Sequence, residues 1–123
     1  MTQKEVLIVD DEEFIRDLLT DFLAMEGFTC HSAATADQAY AAISAAKSPF
    51  DLILLDRHLE NSRAEIIMTR LSTMRVKSPI ILLTGDHEVG LEEARKMGAA
   101  DVIHKPFQID NLLNHIQAIL EPS

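Results

Sequence analysis

The chain has 123 residues and 47% hydrophobic content, the size of one ordinary domain with enough apolar side chains for a real core. Its net charge of -9, from 11 basic and 20 acidic residues, disfavours a nucleic-acid surface, because phosphate binding rests on Lys and Arg. A single cysteine, Cys30, excludes an internal disulfide, and no apolar run approaches the ~20 residues needed to span a bilayer.

The first residues, MTQKEVLIVDD, run into a strand without a signal peptide, which predicts a cytoplasmic protein. Strand Val6 to Val9 ends in an acid cluster, Asp10 to Glu13, followed by a helical stripe of Phe14, Ile15, Leu18, Leu19, Phe22 and Leu23. Gly27 suits the left-handed cap of that helix. Thr29 to Ala33 is a weaker strand, and Thr35 with Gln38 has the spacing of a capping box. The helix it opens turns Ala36, Ala39, Tyr40 and Ile43 inward, and Lys47, Ser48 and Pro49 break it. Leu52 to Leu55 show no alternation, as expected of a strand covered on both faces, and they end in Asp56. Ser62 and Glu65 repeat the capping-box spacing before a helix expected to bury Ile66, Ile67 and Leu71. Strand Ile80 to Leu83 ends in Thr84, Gly85 and Asp86, and a charged helix follows through Met97 to Gly98, with Glu92 and Lys96 spaced for a weak ion pair. The last strand, Asp101 to His104, leads through Lys105 and Pro106 to a helix with Ile109, Leu112, Leu113, Ile116 and Leu120 on its apolar face.

Five strands alternating with five helices predict a three-layer α/β sandwich around a parallel five-stranded sheet. The flavodoxin-like order 2-1-3-4-5 sets the first and third strands side by side at its switch point, so that Asp10, Asp11 and Asp56 converge. Carboxylates held that close repel one another unless a cation compensates, and oxygen-only ligands suit Mg²⁺ better than Zn²⁺. Lys105 adds a positive charge from the last strand, Thr84 offers a hydroxyl, and Asp56 becomes a candidate nucleophile for an aspartyl-phosphate. Each residue also has an ordinary reading: Asp10 and Asp11 as helix caps, Thr84 as a strand-end hydroxyl, Lys105 as an exposed charge. The joint placement at four strand ends favours the site.

The motifs VDD (Val9 to Asp11), LLD (Leu54 to Asp56), Thr84-Gly85, GAAD (Gly98 to Asp101) and KPF (Lys105 to Phe107) together resemble the response-regulator receiver domain of two-component signalling, over residues 1–123 as a single domain. The resemblance implies that Asp56 accepts a phosphoryl group from a sensor histidine kinase or His phosphotransfer protein. It also implies Mg²⁺ bound by Asp10, Asp11, Asp56 and the backbone carbonyl of His58, phosphoryl contacts from Thr84 and Lys105, and a cis Lys105-Pro106 bond. The output domain or target is not specified by the motifs, and the domain is expected to be a non-enzymatic phosphoacceptor.

The chain departs from the family at several positions. Glu60 and Ala64 stand where a proline and a glycine are usual, and Val102 stands where a Tyr or Phe usually turns inward. Output is therefore expected to run through the loop after Thr84 and the fourth helix. His58 and Asp86, beside the site mouth, are candidate modulators of water access. Residues Gln108 to Ser123 contain no Lys or Arg, which removes the usual ion pairing with the last helix and predicts a monomer, or a dimer of another kind. His31, His87, His104 and His115 show no metal-ligand spacing, and Cys30 reads as a small buried strand residue. Because the sequence stops just after the fifth helix, the domain is expected to act alone. Two other functions compete: a receiver-like binding module that needs no phosphate, and a Mg²⁺-dependent phosphatase, for which His58 occupies the place of the expected second acid.

Overall fold

The computed structural model of the chain describes residues 3–121; residues 1–2 and 122–123 of the expected 1–123 span lie outside the described residues. The chain runs β1 (Glu5–Val9), α1 (Glu13–Met25), β2 (Thr29–Ala33), α2 (Ala36–Ala45), β3 (Leu52–Asp56), β4 (His58–Leu59) and β5 (Ser62–Arg63). It continues with α3 (Ala64–Thr73), β6 (Ile80–Thr84), α4 (Leu91–Met97), β7 (Asp101–His104) and α5 (Ile109–Leu120). The main sheet has the order β2-β1-β3-β6-β7 with every pairing parallel, which is the expected 2-1-3-4-5 order when only its own members are counted. The short antiparallel pair β4-β5 is an addition that the sequence pattern did not announce.

Every residue of β3 and β6 is buried. Successive side chains of a strand point to opposite faces, so each strand feeds two cores. Leu7, Val9, Ile53, Leu55 and Leu82 pack with Ala39, Ile67, Met68 and Ala94 from α2, α3 and α4. Val6, Ile8, Leu52, Leu54, Ile81 and Leu83 pack on the other face with Leu19, Leu23, Leu112 and Ile116 from α1 and α5. Three layers follow directly. Leu54→Ala, in the middle of the second face, is expected to cost about 2 to 5 kcal/mol, read as a lower urea midpoint with unchanged slope.

Helix ends follow local chemistry. The Gln38 N–H donates to Thr35 Oγ1 at 3.1 Å, while the Gln38 side chain accepts from Ala34 N–H at 2.8 Å, one residue beyond the usual reciprocal partner. Gly27 (φ 93°) and Gly98 (φ 108°) take the left-handed conformation at the ends of α1 and α4. Arg75 (φ 62°) does the same after α3, where its N–H donates to the Ser72 carbonyl and the Val76 N–H to the Leu71 carbonyl. The Lys105-Pro106 bond is cis. Glu92 and Lys96 lie 3.9 Å apart with both side chains in solvent, a contact of small energetic value.

Several local expectations need correction. Phe14 is 72% exposed and Leu18 sits at the surface, because α1 turns Leu19 and Leu23 fully inward and leaves the edge of its apolar stripe outside. Ile66 is 62% exposed, since α3 buries Ala64, Ile67, Met68 and Leu71, a face that falls about a third of a turn away. The Ser62–Glu65 capping box does not form. Ser62 and Arg63 pair with His58 and Leu59 instead, the N-cap position falls on Arg63, and the Ala64 N–H donates to the Arg57 carbonyl at 2.9 Å. The charged helix before Gly98 is short, beginning only at Leu91. Cys30 is half-buried rather than buried, and burial raises its thiol to about 11, so it stays protonated at neutral pH.

Candidate functional site

The carboxyl ends of β1, β3, β6 and β7 lie at one edge of the sheet, and their connections diverge there. Asp10 directly follows β1 and is fully buried, while Asp56 closes β3 and is nearly so. Asp11 is more open than either, and one carboxylate oxygen from each of Asp10, Asp11 and Asp56 lies within 4.8 Å of the others. Parallel pairing of Val9 with Leu55 is the physical cause, because it places the next residue of each chain segment, Asp10 and Asp56, side by side. Asp10 Oδ1 also accepts from the Glu12 N–H at 2.9 Å, and the Arg16 guanidinium donates to the Asp10 carbonyl at 2.7 Å. That bond closes a turn onto Glu12, the N-cap residue of α1, and does not cap the helix, which has no side-chain cap hydrogen bond; the other Asp10 oxygen faces Lys105 in the pocket.

Lys105 enters from the end of β7. Its Nζ lies 2.9 Å from Asp10 Oδ2, 3.4 Å from Asp56 Oδ1 and 3.8 Å from Glu12 Oε1. It is partly buried and is not the free surface charge of the ordinary reading. Burial alone would lower the lysine pKa, but the Asp10 hydrogen bond and the charges of Asp56 and Asp10 outweigh it and the ammonium ends above its ordinary value. Asp56 shows the opposite balance. Burial first, then repulsion from Asp10, lifts its carboxyl to about 6 against the pull of Lys105.

This arrangement predicts a pH dependence with a definite sign. The Asp56 carboxyl is raised above its unfolded value near 3.8, so its protonated form contributes stability that is complete below about pH 4 and lost as the pH rises through about 6. The metal-free protein should lose on the order of 2 kcal/mol across that window, a component absent from Asp56→Asn when the two urea-unfolding profiles are subtracted.

Thr84 closes β6 and is buried, paired in register with His104, and its Oγ1 accepts from the Asp86 N–H at 3.0 Å. Asp86 itself is exposed. Its Oδ2 faces Arg57 Nη1 at 3.3 Å, so it is tethered and not free at the mouth. His58 opens the β4-β5 hairpin with an exposed side chain. Val102 is buried among the side chains between the sheet and α4. Arg57 and Glu12 were missed by sequence reasoning. The signal available for Arg57 was its place immediately after Asp56, where a buried strand turns into a charged residue.

Residues 6–117 match the response regulator receiver domain family. The chain belongs to the response-regulator receiver family. An NtrX-like response regulator of Rickettsia felis is 39% identical over 120 residues, covering 92% of this chain and 24% of that protein. The phosphate regulon transcriptional regulatory protein PhoB of Pseudomonas aeruginosa is 37% identical over 123 residues, covering 98% of this chain and 53% of that protein. The receiver domain of NtrX from Brucella abortus superposes with a TM-score of 0.84 at 33% identity, covering 96% of this chain and 99% of that one. The chain thus spans about a quarter to about half the length of these curated relatives. It is a signalling receiver domain with a flavodoxin-like fold, and its acidic cluster stands at the receiver's carboxyl edge. No helix among the described residues is long and apolar enough to cross a membrane.

The donor set of this receiver suits a hard divalent cation. The carboxylates of Asp10, Asp11 and Asp56, with the more exposed Glu12 beside them, outnumber the one Lys105 ammonium, and every side-chain donor in the cluster is an oxygen. The raised Asp56 carboxyl reflects its burial first and then this excess of negative charge.

Proposed function

We propose that residues 1–123 act as one cytoplasmic receiver domain whose Asp56 carboxylate accepts a phosphoryl group from a phosphohistidine on a sensor kinase or phosphotransfer protein. The observation that carries this reading is the buried Asp56 at the end of β3, flanked by Asp10 and Asp11 and reached by Lys105 at 3.4 Å. In the reaction, an Asp56 oxygen forms a bond to phosphorus as the phosphorus–nitrogen bond of the donor breaks, and the imidazole leaves with the bonding pair and takes up a proton. Asp10, Asp11, Asp56 and the His58 carbonyl are the residues that would hold Mg²⁺, with the hairpin opening at His58 supplying the last of them. When bound, that ion supplies charge neutralisation for the carboxylates and the incoming phosphoryl oxygens.

Lys105 gives a second positive charge on the side of Asp10 and Asp56. Thr84 gives a hydroxyl proton, because its oxygen already accepts from Asp86 N–H and its own proton remains to be donated. Output then passes to an attached domain or a separate target, without direct contact to nucleic acid by this domain and without a membrane, and the receiver is a monomer. Val102 leaves no aromatic ring to report the state of the site.

Incubation with acetyl phosphate and Mg²⁺, followed by intact mass, tests the proposal. A single added phosphoryl group that requires Mg²⁺ is expected. No adduct, together with no beryllofluoride complex, would instead favour a binding module that works without phosphate.

A further inference from the structure

Asp86, in the loop after β6, is held at all four of its polar atoms, its backbone carbonyl accepting from the Val89 N–H at 3.2 Å. Its N–H donates to Thr84 Oγ1 at 3.0 Å, its Oδ1 accepts from the Glu88 N–H at 3.0 Å, and its Oδ2 faces Arg57 Nη1 at 3.3 Å. Arg57 reaches this loop from the position directly after Asp56. Its own backbone is fixed, with the N–H donating to the Leu83 carbonyl at 2.8 Å and the carbonyl accepting from Ala64 at 2.9 Å. The guanidinium is mostly buried, and Nη2 lies 3.6 Å from Glu65 Oε2 in the first turn of α3. One planar cation therefore joins the end of β3, the loop after β6 and the start of α3.

A bare stabilising role explains this cluster poorly. Arg57 Nε and Glu65 Oε1 are both buried without a hydrogen-bond partner, and the carboxylates that Arg57 faces, on Glu65 and Asp86, are partly open to solvent, so these ion pairs contribute little net stability. Its geometric effect is clearer. A threonine hydroxyl has one proton to give, and accepting from Asp86 N–H commits its acceptor side to the loop. The direction left for the Thr84 proton depends on where Asp86 sits. Asp86 is exposed, and Arg57 is the residue that ties its side chain back to the sheet.

We propose that Arg57 is a positioning residue for phosphoryl transfer: through Asp86 it fixes the Thr84 hydroxyl, and through Glu65 it anchors that loop to α3. The inference rests on the proposed phosphoacceptor role of Asp56. Guanidinium chemistry suits the task, because its rigid fork can face two carboxylates on different elements, whereas an ammonium is a single point charge. The route also runs from the site to α3 without an aromatic ring.

The test compares wild type, Arg57→Met, Arg57→Lys, Asp86→Asn and the Arg57→Met/Asp86→Asn double variant. Acetyl phosphate is titrated with Mg²⁺ present, and uptake is followed by intact mass. Arg57→Met should lower the maximal uptake rate by about fivefold while the half-saturating donor concentration stays within about twofold. Asp86→Asn should match it, the double variant should be no slower than the slower single variant, and Arg57→Lys should recover part of the rate. A wild-type rate in folded Arg57→Met, or multiplying effects in the double variant, would overturn the proposal. Should Arg57→Met fail to fold, the exposed Asp86→Asn carries the same test, and a wild-type rate there overturns the proposal equally. Failure of the underlying reading looks different: wild type then takes up no phosphoryl group, or Asp56→Asn still does.

Discussion

Asp56→Asn is expected to take up no phosphoryl group from acetyl phosphate under conditions that label the wild type, and to melt at a higher temperature. The two effects have one origin. The wild-type carboxylate is buried beside Asp10 and Asp11, and burial with repulsion lifts it to about 6. At pH 7.5 the fold therefore holds Asp56 ionised at a cost, and an amide of the same shape removes that cost together with the proposed nucleophile. In the absence of Mg²⁺ the gain should be on the order of 2 kcal/mol, roughly 5 to 10 °C in Tm for a chain of this size. Adding Mg²⁺ should narrow the difference, since a cation offsets the same repulsion in the wild type. Calorimetry with and without Mg²⁺, run beside the intact-mass assay, checks both halves. Labelling of Asp56→Asn at wild-type stoichiometry would mean that another residue is the acceptor.

Lys105→Ala should move stability the other way. Asp10 is fully buried, and Lys105 Nζ at 2.9 Å is its cationic partner. Removing that ammonium leaves three clustered carboxylates without their internal counter-charge, a change of about 3 kcal/mol when one member of a buried pair is deleted. The loss should shrink as the pH falls through about 6, because the raised Asp56 carboxyl then takes up its proton and one of the charges facing Lys105 is neutralised. Phosphoryl uptake should also slow, while Leu54→Ala, which touches only the α1/α5 core, should lower stability without altering the rate per folded molecule. Urea midpoints at pH 4.5 and 7.5 separate the two variants: a deficit in Lys105→Ala that is the same at both pH values would refute the electrostatic account.

Much of this receiver was legible in its sequence for identifiable reasons. Leu52 to Leu55 and Ile80 to Leu83 are unbroken apolar runs, and a strand reads that way only when helices cover both faces. The polar residues that end them, Asp56 and Thr84, then fall at one edge by parallel pairing. Thr35 with Gln38 and the glycines at 27 and 98 marked helix ends because their chemistry is local. Ser62 with Glu65 shows where that reasoning fails. The spacing of a capping box was present, but Ser62 and Arg63 pair with Leu59 and His58 and Arg57 draws on Glu65, contacts with preceding residues that the capping-box spacing does not include.

By itself the sequence determined the layer architecture, the strand order and the identity of the residues at the carboxyl edge, because hydrophobic period and crossover handedness are properties of the chain read in order. Tertiary structure alone decided how those residues are charged and held. Asp10 divides its oxygens between the Glu12 N–H and Lys105, Asp56 is driven towards its neutral form, and Arg57 crosses from β3 to Asp86 and Glu65. These outcomes depend on distances of a few ångströms between residues up to 95 positions apart, and on burial that no single segment creates. Electrostatic energies grow as water is excluded, so the chemistry of the site belongs to the folded protein even though its residues could be named from the chain.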